Sequence, residues 1–186
     1  MLDDVGDNSS SLPSLHLANP GGTSASACAN LRFEAVRYSN NRFYACQLAS
    51  LTQYIYFLGS SWQGNPAMTN SAPTYPFANV RLDGVYVVSF SGCYFLGAGS
   101  HHISANNSTN LLLTTSALHD AWNWNYGVYL NSTSQVRINV NSFAKGDGSV
   151  GNGNPAASSP KGNLGTNGTC IGLNLTRNVG GSGVTT

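Results

Sequence analysis

The sequence predicts an all-β chain wound as a solenoid of short parallel strands, a parallel β-helix. Three observations carry that expectation. The first is a recurring frame in which two apolar residues two apart are followed five positions later by a large apolar residue. It occurs as Val36, Tyr38, Phe43; Ile55, Phe57, Trp62; Val88, Phe90, Phe95; Leu111, Leu113, Leu118; and Val136, Ile138, Phe143. Successive starts lie 19, 33, 23 and 25 residues apart, and the step of 33 contains a proline-rich stretch. A period of about 20–25 residues built from short strands marks a solenoid. The second observation is composition: 186 residues include 21 Gly and 22 Asn among abundant Ser and Thr, which favours strands and turns over helices. The third is that small or polar triplets fill the five-residue jump: Ser39-Asn40-Asn41, Gly59-Ser60-Ser61, Ser91-Gly92-Cys93, Thr114-Thr115-Ser116 and Asn139-Val140-Asn141. Asn tolerates a left-handed backbone and bonds its own turn, so it suits a corner.

Each element follows from that frame. Residues i and i+2 share one face of a strand, so Val36, Ile55, Val88, Leu111 and Val136 are expected to stack as one inward ladder about 4.8 Å per step. Phe43, Trp62, Phe95, Leu118 and Phe143 are expected to form a second. Leucine-rich repeats share the period, but their L-x-x-L-x-L-x-x-N frame is missing. A sandwich or jelly roll of short antiparallel strands is the alternative architecture. Residues 1–28, with Pro13, Pro20 and Gly21-Gly22, read as an irregular arm or cap anchored by Leu12, Leu15 and Leu17. Residues 29–143 carry the coils, with an insertion at 63–78 that holds three prolines. Residues 144–186 read as a Gly/Asn-rich loop followed by a terminal coil, around Ile171, Leu173, Leu175 and Val179, or an oligomerisation segment.

Charge narrows the function classes. Only 8% of residues are charged and the net charge is +1, so there is no basic stripe with which to capture nucleic acid through its phosphates. No apolar run approaches the roughly 18 residues of a spanning helix, and membrane insertion is not expected. Met1-Leu2-Asp3-Asp4-Val5-Gly6-Asp7 is acidic where a signal peptide would be basic and then apolar. Cys28, Cys46, Cys93 and Cys170 show no CxxC spacing, so zinc is not expected. Inert buried thiols are the favoured reading, with two disulfides as the alternative in an oxidising compartment. Asn-x-Ser/Thr occurs at Asn8, Asn106, Asn107, Asn131, Asn167 and Asn174, a number that chance largely explains in so Asn- and Ser-rich a chain.

The stretch 79–143, with GVYVVSFSGCYF at 84–95 and NSTSQVRINVNSF at 131–143, resembles the right-handed parallel β-helices of pectin-lyase-like proteins and bacteriophage tailspikes. Asn41-Arg42-Phe43 and Asn141-Ser142-Phe143 resemble the asparagine-bearing corner of those helices. The resemblance covers about residues 30–143 and implies an architecture without a catalytic family. The Gly/Asp/Thr-rich segment that usually precedes the first coil is not recognisable, and most such helices are longer.

Candidate chemistry is sparse. Glycoside hydrolysis usually needs two carboxyl groups, and Asp83 and Asp120 are the mid-chain pair, with His119 as a further acid/base candidate. Asp83 precedes Val88 by five residues and Asp120 follows Leu118 by two, which places them at different corners; the bland reading is a pair of turn residues bonded to local backbone. Glu34 shares strand parity with Val36 and Tyr38, and Arg37 and Arg137 read as equivalent outward positions, with Tyr56, Ser89 and Leu112 between them. The segment His119-Asp120-Ala121-Trp122-Asn123-Trp124-Asn125-Tyr126 is the most distinctive. Alternation puts Trp122, Trp124 and Tyr126 on one side, either as a core face or as flat rings that stack on sugars. His101 and His102 sit in the preceding connection and are substrate-contact candidates, without the frame of a metal site. No cofactor is expected. The expected function is a phage tailspike or tail-fibre domain, in the virion tail or extracellular, that recognises a host surface polysaccharide and assembles as a homotrimer like the tailspikes it resembles. A β-helix polysaccharide hydrolase or lyase is one alternative, and a non-catalytic structural or assembly module is the other.

Overall fold

The computed structural model describes residues 15–18, 28–39, 46–49, 52–63, 78–96, 101–119, 126–144 and 162–177. Every regular element among them is a strand, and every strand pairing is parallel. One sheet runs β1 (Leu15–Leu17), β4 (Cys46–Leu48), β7 (Ala78–Asp83), β10 (His101–Asn106), β12 (Tyr126–Asn131), β14 (Gly162–Asn167). The other begins β2 (Ala29–Glu34), β5 (Gln53–Leu58), β8 (Tyr86–Ser91), β11 (Thr109–His119), and β13 (Arg137–Ala144) then joins β11 to β15 (Asn174–Arg177). Three short strands, β3 (Arg37–Ser39), β6 (Ser61–Gln63) and β9 (Tyr94–Leu96), complete it by pairing with one another and with the far half of β11. The chain thus alternates between the sheets, and each return lays a strand beside its predecessor. Such an all-β arrangement of parallel strands is compatible with a β-helix or another solenoid-like fold.

The apolar frame sets the register from the second repeat onward. Ile55 pairs with Val88 and Val88 with Leu111, while Trp62, Phe95, Leu118 and Phe143 pair in succession. The first repeat is displaced from its expected position. Leu31 pairs with Ile55, Phe33 with Phe57 and Tyr38 with Trp62, so the frame starts at Leu31. Val36 is a buried corner residue whose N–H donates to Ser60 Oγ at 3.2 Å, and Phe43 lies outside the described residues. The cause is local: 31, 33, 38 satisfies the same spacing as 36, 38, 43, and only the longer start yields repeat steps of 24, 33, 23 and 25. The same shift makes Arg32, paired with Tyr56, the counterpart of Arg137, whereas Arg37 pairs with Ser61 on another strand. Glu34 ends β2 exposed, in an ion pair with Arg32. Leu175 pairs with Ile138 in the terminal repeat, and Leu15–Leu17 of the N-terminal arm supplies β1.

Stacked rungs turn repeated aromatics into columns. Phe33, Phe57 and Phe90 stack at centroid separations of 5.0 and 5.1 Å, and Tyr38, Trp62 and Phe95 at 5.2 and 4.6 Å. These are the spacings of adjacent strands. The columns meet edge-on, with Phe57 and Phe90 at 5.3 and 5.6 Å from Trp62. From the other sheet Leu48, Val80, Leu82, Ile103, Val128 and Leu130 close the same core.

Corners repeat as faithfully as strands. Gly84, Asn107, Ser132 and Gly168 each hold a left-handed backbone, with φ of 64, 46, 47 and 64°. The N–H groups of Gly84, Asn107 and Ser132 donate onward to Asn106 O, Asn131 O and Asn167 O, each at 2.9 Å. After Asn107 and Ser132 the next residue is small, and its hydroxyl donates to the carbonyl two residues back: Ser108 Oγ to Asn106 O at 3.0 Å and Thr133 Oγ1 to Asn131 O at 3.1 Å. Asn-x-Ser/Thr therefore recurs at Asn106, Asn131 and Asn167 because it is the corner itself, a structural cause where composition alone suggested chance. Gly59-Ser60 and Gly92-Cys93 form a second corner, at which Cys93 N–H donates to Ser116 Oγ at 3.1 Å. Asn41 lies outside the described residues. Asn141 falls inside β13, where the pairing steps past it between Val140 and Ser142, so it does not sit at a turn.

Candidate functional site

A third left-handed column lies three or four residues beyond the left-handed residue of the first corner and shapes the outer surface. Asn30, Tyr54, Val87, Asn110 and Gln135 have φ of 58, 56, 59, 60 and 55°, and Gly172 has 68°. For a β-branched or bulky residue this is costly, of order 1–2 kcal/mol each. Rung-to-rung bonding holds it: Asn110 N–H donates to Ser134 O at 3.1 Å and Gln135 N–H to Ile171 O at 2.8 Å. Four of the six column members, Val87, Asn110, Gln135 and Gly172, line an open groove of about 570 Å³ that crosses the strands. Leu112, Arg137, Leu173 and Asn174 complete its accessible lining.

The groove is chemically simple. Leu112 and Leu173 present apolar surface, Asn110, Gln135 and Asn174 present amides, and Arg137 supplies the one charge in the lining. The side chains of Asn110, Gln135 and Arg137 have no hydrogen-bond or ion-pair partner among the described residues. Tyr54 occupies the next position of the column, beside Val87, and its ring meets Tyr86 edge-on at 5.8 Å. Tyr86 is 45% exposed, and Tyr54 and Tyr56 are exposed on the same sheet. An aromatic platform thus adjoins one end of a groove that has its cation near the other. Sequence reasoning named none of these residues as a site, because a left-handed tyrosine or valine carries no local signature.

The residues singled out from sequence fall elsewhere. Asp83 ends β7 and is held by Arg81 Nε at 2.6 Å and by Asn106 Nδ2 at 3.0 Å, with Gln47 Nε2 at 3.4 Å. It begins a row with Asn106, Asn131 and Asn167 at the end of the first sheet. His101 is buried and stacked on Tyr129 at 4.9 Å; His102 is buried with Nδ1 3.2 Å from Asn79 Nδ2. Neither lines the groove. His119 closes β11, its backbone between Leu96 and Ala144, and Tyr126 opens β12 opposite Gly162; only their backbones are described. Asp120, Trp122 and Trp124 lie outside the described residues.

Burial also sets the thiols. Cys46 and Cys93 are buried, and desolvation pushes both above the ordinary thiol value, Cys93 to about 11. All four cysteines are free. Comparison with family models, with curated proteins and with solved structures finds no match.

Proposed function

We propose that the chain is a short right-handed parallel β-helix of the tailspike or tail-fibre kind, and that it recognises a surface polysaccharide in the groove along its left-handed column. One observation carries the reading: a groove crossing successive rungs, with free amides in its lining and an exposed tyrosine pair beside one end. Rings stack on the apolar face of a sugar while amides take its hydroxyls. A linear polymer matches a site that repeats at every strand spacing. A homotrimer in a virion tail or other extracellular setting belongs to the same reading. Among the described residues the groove lining holds no carboxylate, and Asp83 is engaged by Arg81 and Asn106, so recognition is favoured over hydrolysis at this site.

The test is a glycan array of surface-polysaccharide fragments probed with the whole chain and with a Tyr54→Ala/Tyr86→Ala variant. Loss of well-placed aromatic contacts costs about 1–3 kcal/mol, or roughly 5- to 150-fold in affinity. The variant should lose binding by that factor at an unchanged melting temperature. A parent that binds no glycan, or a variant that binds as the parent does, refutes the reading.

A further inference from the structure

Resting on that reading, we infer that the groove selects a sparsely anionic heteropolysaccharide, one whose repeat carries a single acidic substituent about two or three sugars from the unit stacked on Tyr54 and Tyr86. The charge follows from the lining. Arg137 is the one cation, it is exposed, and the groove walls otherwise consist of amides, apolar groups and glycine. A guanidinium with no partner among the described residues is a ready receiver for a carboxylate, sulfate or phosphate.

Spacing follows from the register. Tyr54, Val87, Asn110 and Gln135 are successive members of the column, because Ile55, Val88 and Leu111 pair in order and Arg137 pairs with Leu112. The tyrosine pair straddles the second and third repeats, and Arg137 stands in the fifth. They are two to three strand spacings apart, roughly 10–14 Å. An extended pyranose chain advances close to one strand spacing per sugar, so the acidic group sits two or three sugars along.

Sparseness is the sharper part. A polymer charged at every sugar would lay further carboxylates over Leu112 and Leu173, where no cation answers them. Burying an unpaired charge against apolar surface is unfavourable. A neutral glycan would leave Arg137 without its counterpart.

The experiment is titration calorimetry of the whole chain at low salt with three tetrasaccharides of one backbone: neutral, singly carboxylated at one end, and carboxylated on every sugar. A singly sulfated arm separates the acid types. The singly acidic ligand should bind at least about tenfold more tightly than either of the other two. Arg137→Gln should erase its advantage over the neutral ligand without moving the melting temperature, since the side chain is exposed. Equal or stronger binding of the neutral or fully acidic ligand, or an unaffected Arg137→Gln, overturns the inference and leaves glycan recognition standing. Absence of binding by every arm overturns both.

Discussion

Replacing Trp62 separates the work of the aromatic column from that of the polar group it buries. Trp62 is fully buried, stacked between Tyr38 and Phe95 and met edge-on by Phe57 and Phe90. Its indole Nε1 has no hydrogen-bond partner among the described residues. Trp62→Ala removes all four ring contacts, which places it near the top of the 3–5 kcal/mol range for large-to-small core changes, about 5 kcal/mol. Eliminating an unbonded buried donor returns about 1 kcal/mol, so the net loss should be about 4 kcal/mol. Trp62→Phe keeps a ring in the column and removes the same donor. Its smaller cavity cost, about 1–2 kcal/mol, is offset by that relief, leaving stability within about 1 kcal/mol of the parent. Urea melts followed by far-ultraviolet circular dichroism measure both. Trp62→Phe as damaging as Trp62→Ala would show that the stacked column is not what holds this part of the core.

Ser116→Ala strips the acceptor from the buried Cys93 N–H and should cost about 1–3 kcal/mol in the same melts. Gly168→Ala should destabilise more than Gly59→Ala: both hold positive φ, but a Cβ at Gly168 would stand 2.4 Å from Ser132 Oγ, while one at Gly59 meets nothing within 4 Å. For Gly59→Ala the backbone alone costs about 1–2 kcal/mol. The Cys93 thiol is raised from 9.0 to about 11 because burial disfavours its thiolate. Its contribution is therefore complete below pH 9 and lost as the pH rises through about 11. Cys93→Ala should lose less stability than the parent across that window.

Strand identity was legible wherever large apolar residues repeated. Ile55, Val88 and Leu111 pair as their spacing required, and so do Trp62, Phe95, Leu118 and Phe143. At the first repeat two overlapping frames fitted, and the alternation of Val36 with Tyr38 concealed that Val36 turns a corner. The first sheet was less visible, because β1, β4 and β12 are short or mixed in composition and their meaning comes from pairing. Corners were half legible. Gly59 and Gly92 announced themselves, but Asn-x-Ser/Thr looked like a sequon until the hydroxyl-to-carbonyl bonds gave it a backbone role. The groove was invisible for a physical reason: it arises from positive φ at Tyr54, Val87, Asn110 and Gln135, side chains that share no chemistry. The burial of His101 and His102 was not legible either, since it comes from packing on Tyr129 and Asn79 across the sheet.

Hydrogen–deuterium exchange with and without the singly carboxylated tetrasaccharide tests the groove most directly. Added protection should fall on segments 86–88, 109–112, 135–137 and 172–174, one from each repeat that lines the groove. Protection confined to the first sheet or to the 119–126 connection, with those four segments unchanged, would contradict the assignment of ligand binding to the left-handed column.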